Sequence, residues 1–122
     1  MDLLRITTLS GDPVVVALSG ELDLASSVQL ADRLRDLLQA GQIRVVVDLA
    51  DLVFCDSTGI STFVRANQGY VDQGGYLRLA APNANVARVL GVVGLLTTFP
   101  TYRTVEGARS NDDGALLVRE EE

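Results

Sequence analysis

The chain has 122 residues, of which 48% are apolar and 5% aromatic, enough for one domain with an aliphatic core and no need of disulfides or metals. It has no histidine, and all ten of its basic residues are arginine. Ser-His-Asp and Cys-His catalysis, Schiff-base chemistry and a Walker-type lysine are therefore excluded within this chain. The net charge is −6, of which −4 falls in residues 111–122, and no arginine cluster or basic stripe marks a nucleic-acid surface.

Residues 3–9 (LLRITTL) and 13–19 (PVVVALS) are two strand-like runs joined by the short turn SGDP, which reads as a hairpin. After GELD (20–23), apolar positions Leu24, Val28, Ala31, Leu34 and Leu38 recur at helical spacing as far as Gly41, with Asp23 placed to cap the start. IRVVVDLA (43–50) is a continuous apolar run of strand length, the mark of a strand buried on both faces. The turn FCDSTG leads into a second helix on Ile60, Phe63, Val64, Asn67 and Val71, which ends at Gly74-Gly75. YLRLAA (76–81) is the next strand, and Pro82-Asn83 opens a third helix on Val86, Val89, Leu90 and Val93. A short strand in 98–102 (TFPTY), confined to a sheet edge by Pro100, and a helical turn around 104–109 complete the domain.

The order ββαβαβαβα predicts an α/β domain over residues 1–110, with a mostly parallel sheet covered by helices and a first strand made antiparallel by the hairpin. Residues 111–122 (NDDGALLVREEE) read as a frayed, solvated acidic tail. The apolar runs fall short of the roughly 18–20 residues of a membrane span. Residues 1–20 carry Asp2 and Asp12 and no basic n-region before an apolar core, so a cytoplasmic protein without signal peptide or membrane contact is expected. The single Cys55 cannot form an internal disulfide. With no histidine present, no metal site and no cofactor are expected.

Function in such sheets gathers beyond the carboxyl ends of the strands. Two polar loops lie there, GELD and DSTG (56–59). Were their strands parallel neighbours, Asp23 and Ser57 would approach each other. Locally, Ser57 reads as a helix cap, with Gly59 permitting a tight turn, and Asp23 reads as an N-cap. Cys55 reads as a small packing residue rather than a redox thiol.

GELD after a strand, followed by VVVDLADLVFCDSTGISTFVRA, resembles the hallmark region of the STAS domain family, and more narrowly of bacterial anti-sigma-factor antagonists. GGYLRLAAPNANVARVLGVVGLLTTFPTYRTVEGA continues the likeness, which runs over about residues 3–109. The resemblance implies a phosphorylation switch. Ser57 would be phosphorylated by a partner anti-sigma factor that is itself a serine kinase. The unmodified protein would bind that kinase and free the sigma factor, and a phosphoserine phosphatase would reset it. Asp23, Asp56, Ser57, Thr58 and Gly59 fall on the family's partner-binding surface. A phosphate adds about −1.5 to −2 charge at neutral pH. It suits a helix N-terminus but would have to be desolvated at an interface fitted to a hydroxyl.

Other roles fit less well. Ser57 as a nucleophile has no histidine or lysine base, and a carboxylate activates a serine poorly. Asp48 as an aspartyl-phosphate acceptor resembles receiver domains, which use a lysine this chain lacks. Within the same family, the domain could instead be a scaffold subunit of a stress-signalling assembly or an accessory subunit of a transporter complex.

Overall fold

A computed structural model describes residues 3–92 and 99–117. The two N-terminal runs pair as an antiparallel hairpin, β1 (Arg5–Leu9) and β2 (Val14–Leu22), in the register Leu9 to Val15 and Arg5 to Ser19. From β2 onward every pairing is parallel. β2 meets β3 (Arg44–Cys55), β3 meets β4 (Tyr76–Ala80), and β4 meets β5 (Thr101–Tyr102), so the order is β1-β2-β3-β4-β5. The parallel steps pass through α1 (Leu24–Gln39), α2 (Ser57–Asp72) and α3 (Ala84–Val92). A sheet that grows in one direction through right-handed crossovers collects those helices on one face.

The alternation of side chains along β3 divides the core accordingly. Val45 and Val47 join Val14, Val16, Leu77 and Leu79 under the three crossover helices. Val46, between them, faces the other way and packs with Val15, Ala80, Tyr102 and Ala108. Ala108 belongs to α4 (Val105–Ser110), which covers that second face. Val45, Val46 and Val47 are all fully buried, so the strand is covered on both sides, as its unbroken apolar run predicts.

Both long strands outrun their expected ends. β2 continues through Gly20, Glu21 and Leu22, and β3 continues through Asp51–Cys55 as far as the next helix. β4 stops at Ala80, opposite Asp48. Beyond that point β3 pairs with β2 alone, and past Ser19, where the β1 pairing ends, the two go on as a two-stranded ribbon among the described residues. The register of β2 on β3 slips between Ala17 and Ser19 and again between Gly20 and Glu21, each time leaving one extra residue on β3. Bulges of this kind re-aim side chains and reset alternation. Val53 and Phe54, adjacent in sequence, are accordingly both exposed.

The inward faces hold many of the expected residues, Leu34, Ile60 and Phe63 among them, but not all. On α1 the buried residues are Ser27, Leu30 and Leu34, whereas Leu24 and Val28 are 71% and 63% exposed. On α2 they are Gly59, Ile60, Thr62, Phe63 and Tyr70, while Val64 and Val71 face solvent. α3 buries Val86 and Leu90 as expected, and Val93 lies outside the described residues.

The last strand is shorter than its sequence suggests. β5 holds only Thr101 and Tyr102, with Pro100 just before it and Thr98 outside the described residues. The acidic tail also begins later than expected. Residues 113–115 form a 3-10 turn, Leu116 bridges Tyr102, and the Leu117 N–H donates to the Thr101 carbonyl at 2.7 Å. Two apolar residues inside an acidic stretch cap the bare edge of β5, which is why the chain does not fray at 111. Residues 118–122 lie outside the described residues. Among the described residues, no helix is long and apolar enough to cross a membrane.

Candidate functional site

The ribbon of β2 and β3 brings the two polar loops together. Leu22 and Cys55 are register partners at its end. The Asp56 N–H donates to the Leu22 carbonyl at 3.1 Å, so the two strands remain joined up to the first residue past β3. Asp23 and Asp56 follow those partners directly, and each starts a helix. The two helix N-termini, with two carboxylates, therefore share one end of the sheet.

Asp23 caps α1 as its sequence predicts. Its Oδ1 accepts from the Ser26 N–H at 3.0 Å, and the Ser26 hydroxyl accepts from the Asp23 N–H at 2.9 Å. This is a capping box in which serine takes the place usually held by Glu or Gln. The hydrogen bonds from Ser26 hold the Asp23 carboxyl below its ordinary value, so the group stays ionised at neutral pH.

Ser57 is not the cap of α2. Asp56 is, with its Oδ1 accepting from the Gly59 N–H at 2.9 Å. Aspartate and serine both cap well, and the adjacent pair left the choice open in sequence. The backbone settles it, because Asp56 is extended and Ser57 is the first helical residue. Ser57 is exposed, and its hydroxyl makes no hydrogen bond to any described residue. The Ile60 N–H is the first to bond within the helix, to the Asp56 carbonyl. The N–H groups of Ser57 and Thr58 thus belong to the orphan donors of a helix start. Thr58 is half-buried, and its carbonyl accepts from the Thr62 hydroxyl at 3.1 Å.

Gly59, expected on the partner-facing surface and as a turn residue, does neither job. It is buried inside α2. A Cβ there would lie 2.7 Å from Leu22 Cγ, 2.9 Å from Leu22 Cδ2 and 3.1 Å from Cys55 Sγ. Glycine lets the first turn of α2 settle onto the end of the ribbon, which fixes where Ser57 stands. Cys55 is buried beneath that turn. Burial, with Asp56 as a lesser cause, pushes its thiol up to about 12. It is a packing residue and not a poised nucleophile.

Exposed apolar side chains stand on the elements that meet at this end of the sheet. Leu24 and Val28 stand on α1, and Val53 and Phe54 on the ribbon. A cleft of about 510 Å³ lined by Leu3, Glu21, Asp23 and Gln29 opens on the α1 side. Another of about 270 Å³, lined by Phe54, Asn85, Arg88 and Val89, opens on the α3 side. Sequence reasoning missed these four apolar residues. Leu24 and Val28 fit the helical period and read as core, and Val53 and Phe54 are turned out by bulges that no local pattern announces. Asp48, the other candidate acceptor, instead takes the Ala50 N–H at 3.0 Å within β3. Among the described residues, no group of three or more His, Cys, Asp or Glu side chains is arranged to hold a metal.

An exposed hydroxyl with free N–H groups beside it, next to the Asp56 carboxylate and at the same end of the sheet as Asp23 and several exposed apolar side chains, is suited to binding and modification. The STAS domain profile matches residues 5–108. The anti-sigma F factor antagonist of Paenibacillus polymyxa is 30% identical over 90 residues, 73% of this chain and 77% of that protein. The anti-sigma-B factor antagonist of Bacillus subtilis is 31% identical over 83 residues, 67% and 74% of the two chains. The crystal structure of an anti-sigma factor antagonist from Mycobacterium paratuberculosis superposes with a TM-score of 0.81 at 23% identity, covering 89% of this chain and 93% of that one.

Proposed function

The chain belongs to the STAS domain family, and from that premise we propose that it is an anti-sigma-factor antagonist governed by phosphorylation of Ser57. Unmodified, it binds an anti-sigma factor with serine kinase activity and so releases a sigma factor. Phosphorylation by that kinase ends the binding, and a phosphoserine phosphatase restores it. The contact surface comprises Asp23, Asp56, Ser57 and Thr58 with the exposed apolar side chains of Leu24, Val28, Val53 and Phe54. The protein acts in the cytoplasm as a regulator and carries out no chemistry of its own.

The observation that carries this reading is the position of Ser57. It is exposed at the first residue of α2 with its hydroxyl unengaged. The orphan N–H groups of that turn and the positive end of the helix can receive a phosphate without any change of fold. The penalty falls on the complex. A group of about −1.5 to −2 charge, added next to Asp56, has to be desolvated against a surface that fitted a hydroxyl. A loss of about 2–3 kcal/mol weakens binding by roughly thirtyfold to more than a hundredfold. The exposed apolar side chains suit the contact for the opposite reason, since burying them against a partner is favourable and leaving them in water is not.

The test begins with a pull-down using the wild-type chain as bait and mass spectrometry to identify what is held. An anti-sigma kinase is expected, whereas a multi-protein stress complex or a transporter subunit would point to the other roles of the family. With the kinase and ATP, one phosphate should appear on the peptide that carries Ser57. Ser57→Ala should keep kinase binding and Ser57→Asp should lose it. Tight binding by Ser57→Asp, or phosphate at another residue, would overturn the switch.

A further inference from the structure

Away from the switch, two to three turns along α1 and α2, the helices leave a gap between them. Ala31, Leu34 and Leu38 on α1 face Ala66, Gly69 and Tyr70 on α2 across a groove of about 260 Å³. Its polar atoms are already engaged. The Tyr70 hydroxyl donates to the Leu34 carbonyl at 2.6 Å, and the Thr62 hydroxyl donates to the Thr58 carbonyl at 3.1 Å. The trough therefore offers an entering molecule apolar contact rather than hydrogen bonds. Near Gly69 it narrows, for a Cβ at that position would stand 3.3 Å from Leu38 Cδ2.

Each wall carries one arginine, Arg35 on α1 and Arg65 on α2. Arg65 has no ion-pair partner among the described residues. Arg35 pairs at 2.7 Å with Asp32 on its own helix, both side chains being more than half exposed. An exposed pair of this kind contributes little, so the guanidinium is free to exchange Asp32 for another carboxylate. In a chain of net charge −6, two arginines lining one apolar trough from opposite helices make a local site for an anion with a hydrophobic body. Arginine is the residue whose planar fork matches a carboxylate.

We propose that this groove binds a short amphiphilic carboxylate of the medium-chain fatty-acid class, its chain lying between Ala31 and Ala66 and its head bridged by Arg35 and Arg65. The size limits the chain, because the groove lies just below the roughly 300–1,000 Å³ of typical small-molecule sites. Binding here is independent of the Ser57 switch and stands whether or not that switch exists.

Octanoate titrated into the full chain and followed by amide NMR is the direct test. 1-Octanol serves as the neutral comparator with the same tail, and propionate as the one with the same head. Octanoate should shift the amides of residues 31–38 and 62–70 saturably and bind at least about tenfold more tightly than either comparator, the scale of a charge-assisted hydrogen bond. Arg65→Glu, at an exposed position, should weaken octanoate binding by about tenfold without changing the melting temperature of the free protein. Ala66→Leu should fill the groove and abolish binding. The proposal fails if 1-octanol binds as tightly as octanoate, if Arg65→Glu leaves the affinity unchanged, if the shifts gather elsewhere, or if none saturates.

Discussion

Replacing Gly59 by alanine puts the packing at the switch to a quantitative test. In most helices the change is favourable, by up to about 1 kcal/mol, because alanine loses less entropy on folding. Here the added methyl meets Leu22 Cγ at 2.7 Å and Cys55 Sγ at 3.1 Å. Leu22 is fully buried and has no room to retreat. Overpacking of this kind costs about 1–3 kcal/mol, so net destabilisation of about 1–2 kcal/mol is expected. For a domain of this size that lowers the melting temperature by roughly 3–6 °C per kcal/mol. Urea unfolding followed by circular dichroism gives the free energy, and Leu22→Ala provides the second arm. That change alone costs about 2–5 kcal/mol, but it removes the obstructing atoms. In its background, Gly59→Ala should be neutral or stabilising. Gly59→Ala that stabilises the wild-type chain, or that costs the same with and without Leu22, would refute the packing account of the position of Ser57.

Further outcomes follow from single contacts. Asp56→Ala removes the cap of α2 and should cost about 1 kcal/mol, read as a lower urea midpoint, whereas Ser57→Ala should leave stability nearly unchanged. Tyr70→Phe deletes the buried bond to the Leu34 carbonyl and should cost about 1–2 kcal/mol, again by urea unfolding. Native Cys55, with its thiol pushed up to about 12, should resist iodoacetamide at pH 8 and react once unfolded, and fast labelling of the native protein would contradict its burial. The Asp23 carboxyl is held below its ordinary value of 3.8, so its contribution to stability is complete above that pH and is lost as the pH falls through the lower folded value. Asp23→Asn should flatten the stability profile in that acidic range.

Much of this architecture was legible because α/β alternation is a long-range pattern with redundant signals. The triple valine of β3, the glycines that close α1 and α2, and the hairpin turn all support the same succession of elements, while the strand order emerged only with the structure. The helix faces were legible only in part, since counting apolar residues cannot separate Leu24 and Val28, which are exposed, from Leu34, which is buried. The inward faces also include Ser27 and Thr62, whose hydroxyls bond to carbonyls of their own helices and so bury without penalty. The length of β3 was hidden by Asp51, where the expected strand had already ended, although after a register shift the ladder with β2 resumes there, Asp51 pairing with Ser19. At the candidate site, sequence placed Asp56 and Ser57 at the start of a helix, but both are good caps. Only the backbone at the helix start told the capping residue from the one left free.

The ribbon formed by β2 and β3 has a consequence for solubility. Among the described residues, the outer side of β3 has no strand beside it past Asp48, and Val53 and Phe54 stand exposed there. An open, apolar strand edge is a template on which another chain can add a strand, the first step toward aggregation. Two devices blunt it. The bulge at Val53 breaks the regular spacing an incoming strand needs. Asn83, while capping α3 through the Val86 N–H at 2.8 Å, also donates from Nδ2 to the Leu52 carbonyl at 2.9 Å and occupies that acceptor. The ribbon thus exposes apolar side chains on a strand edge that is irregular and partly engaged.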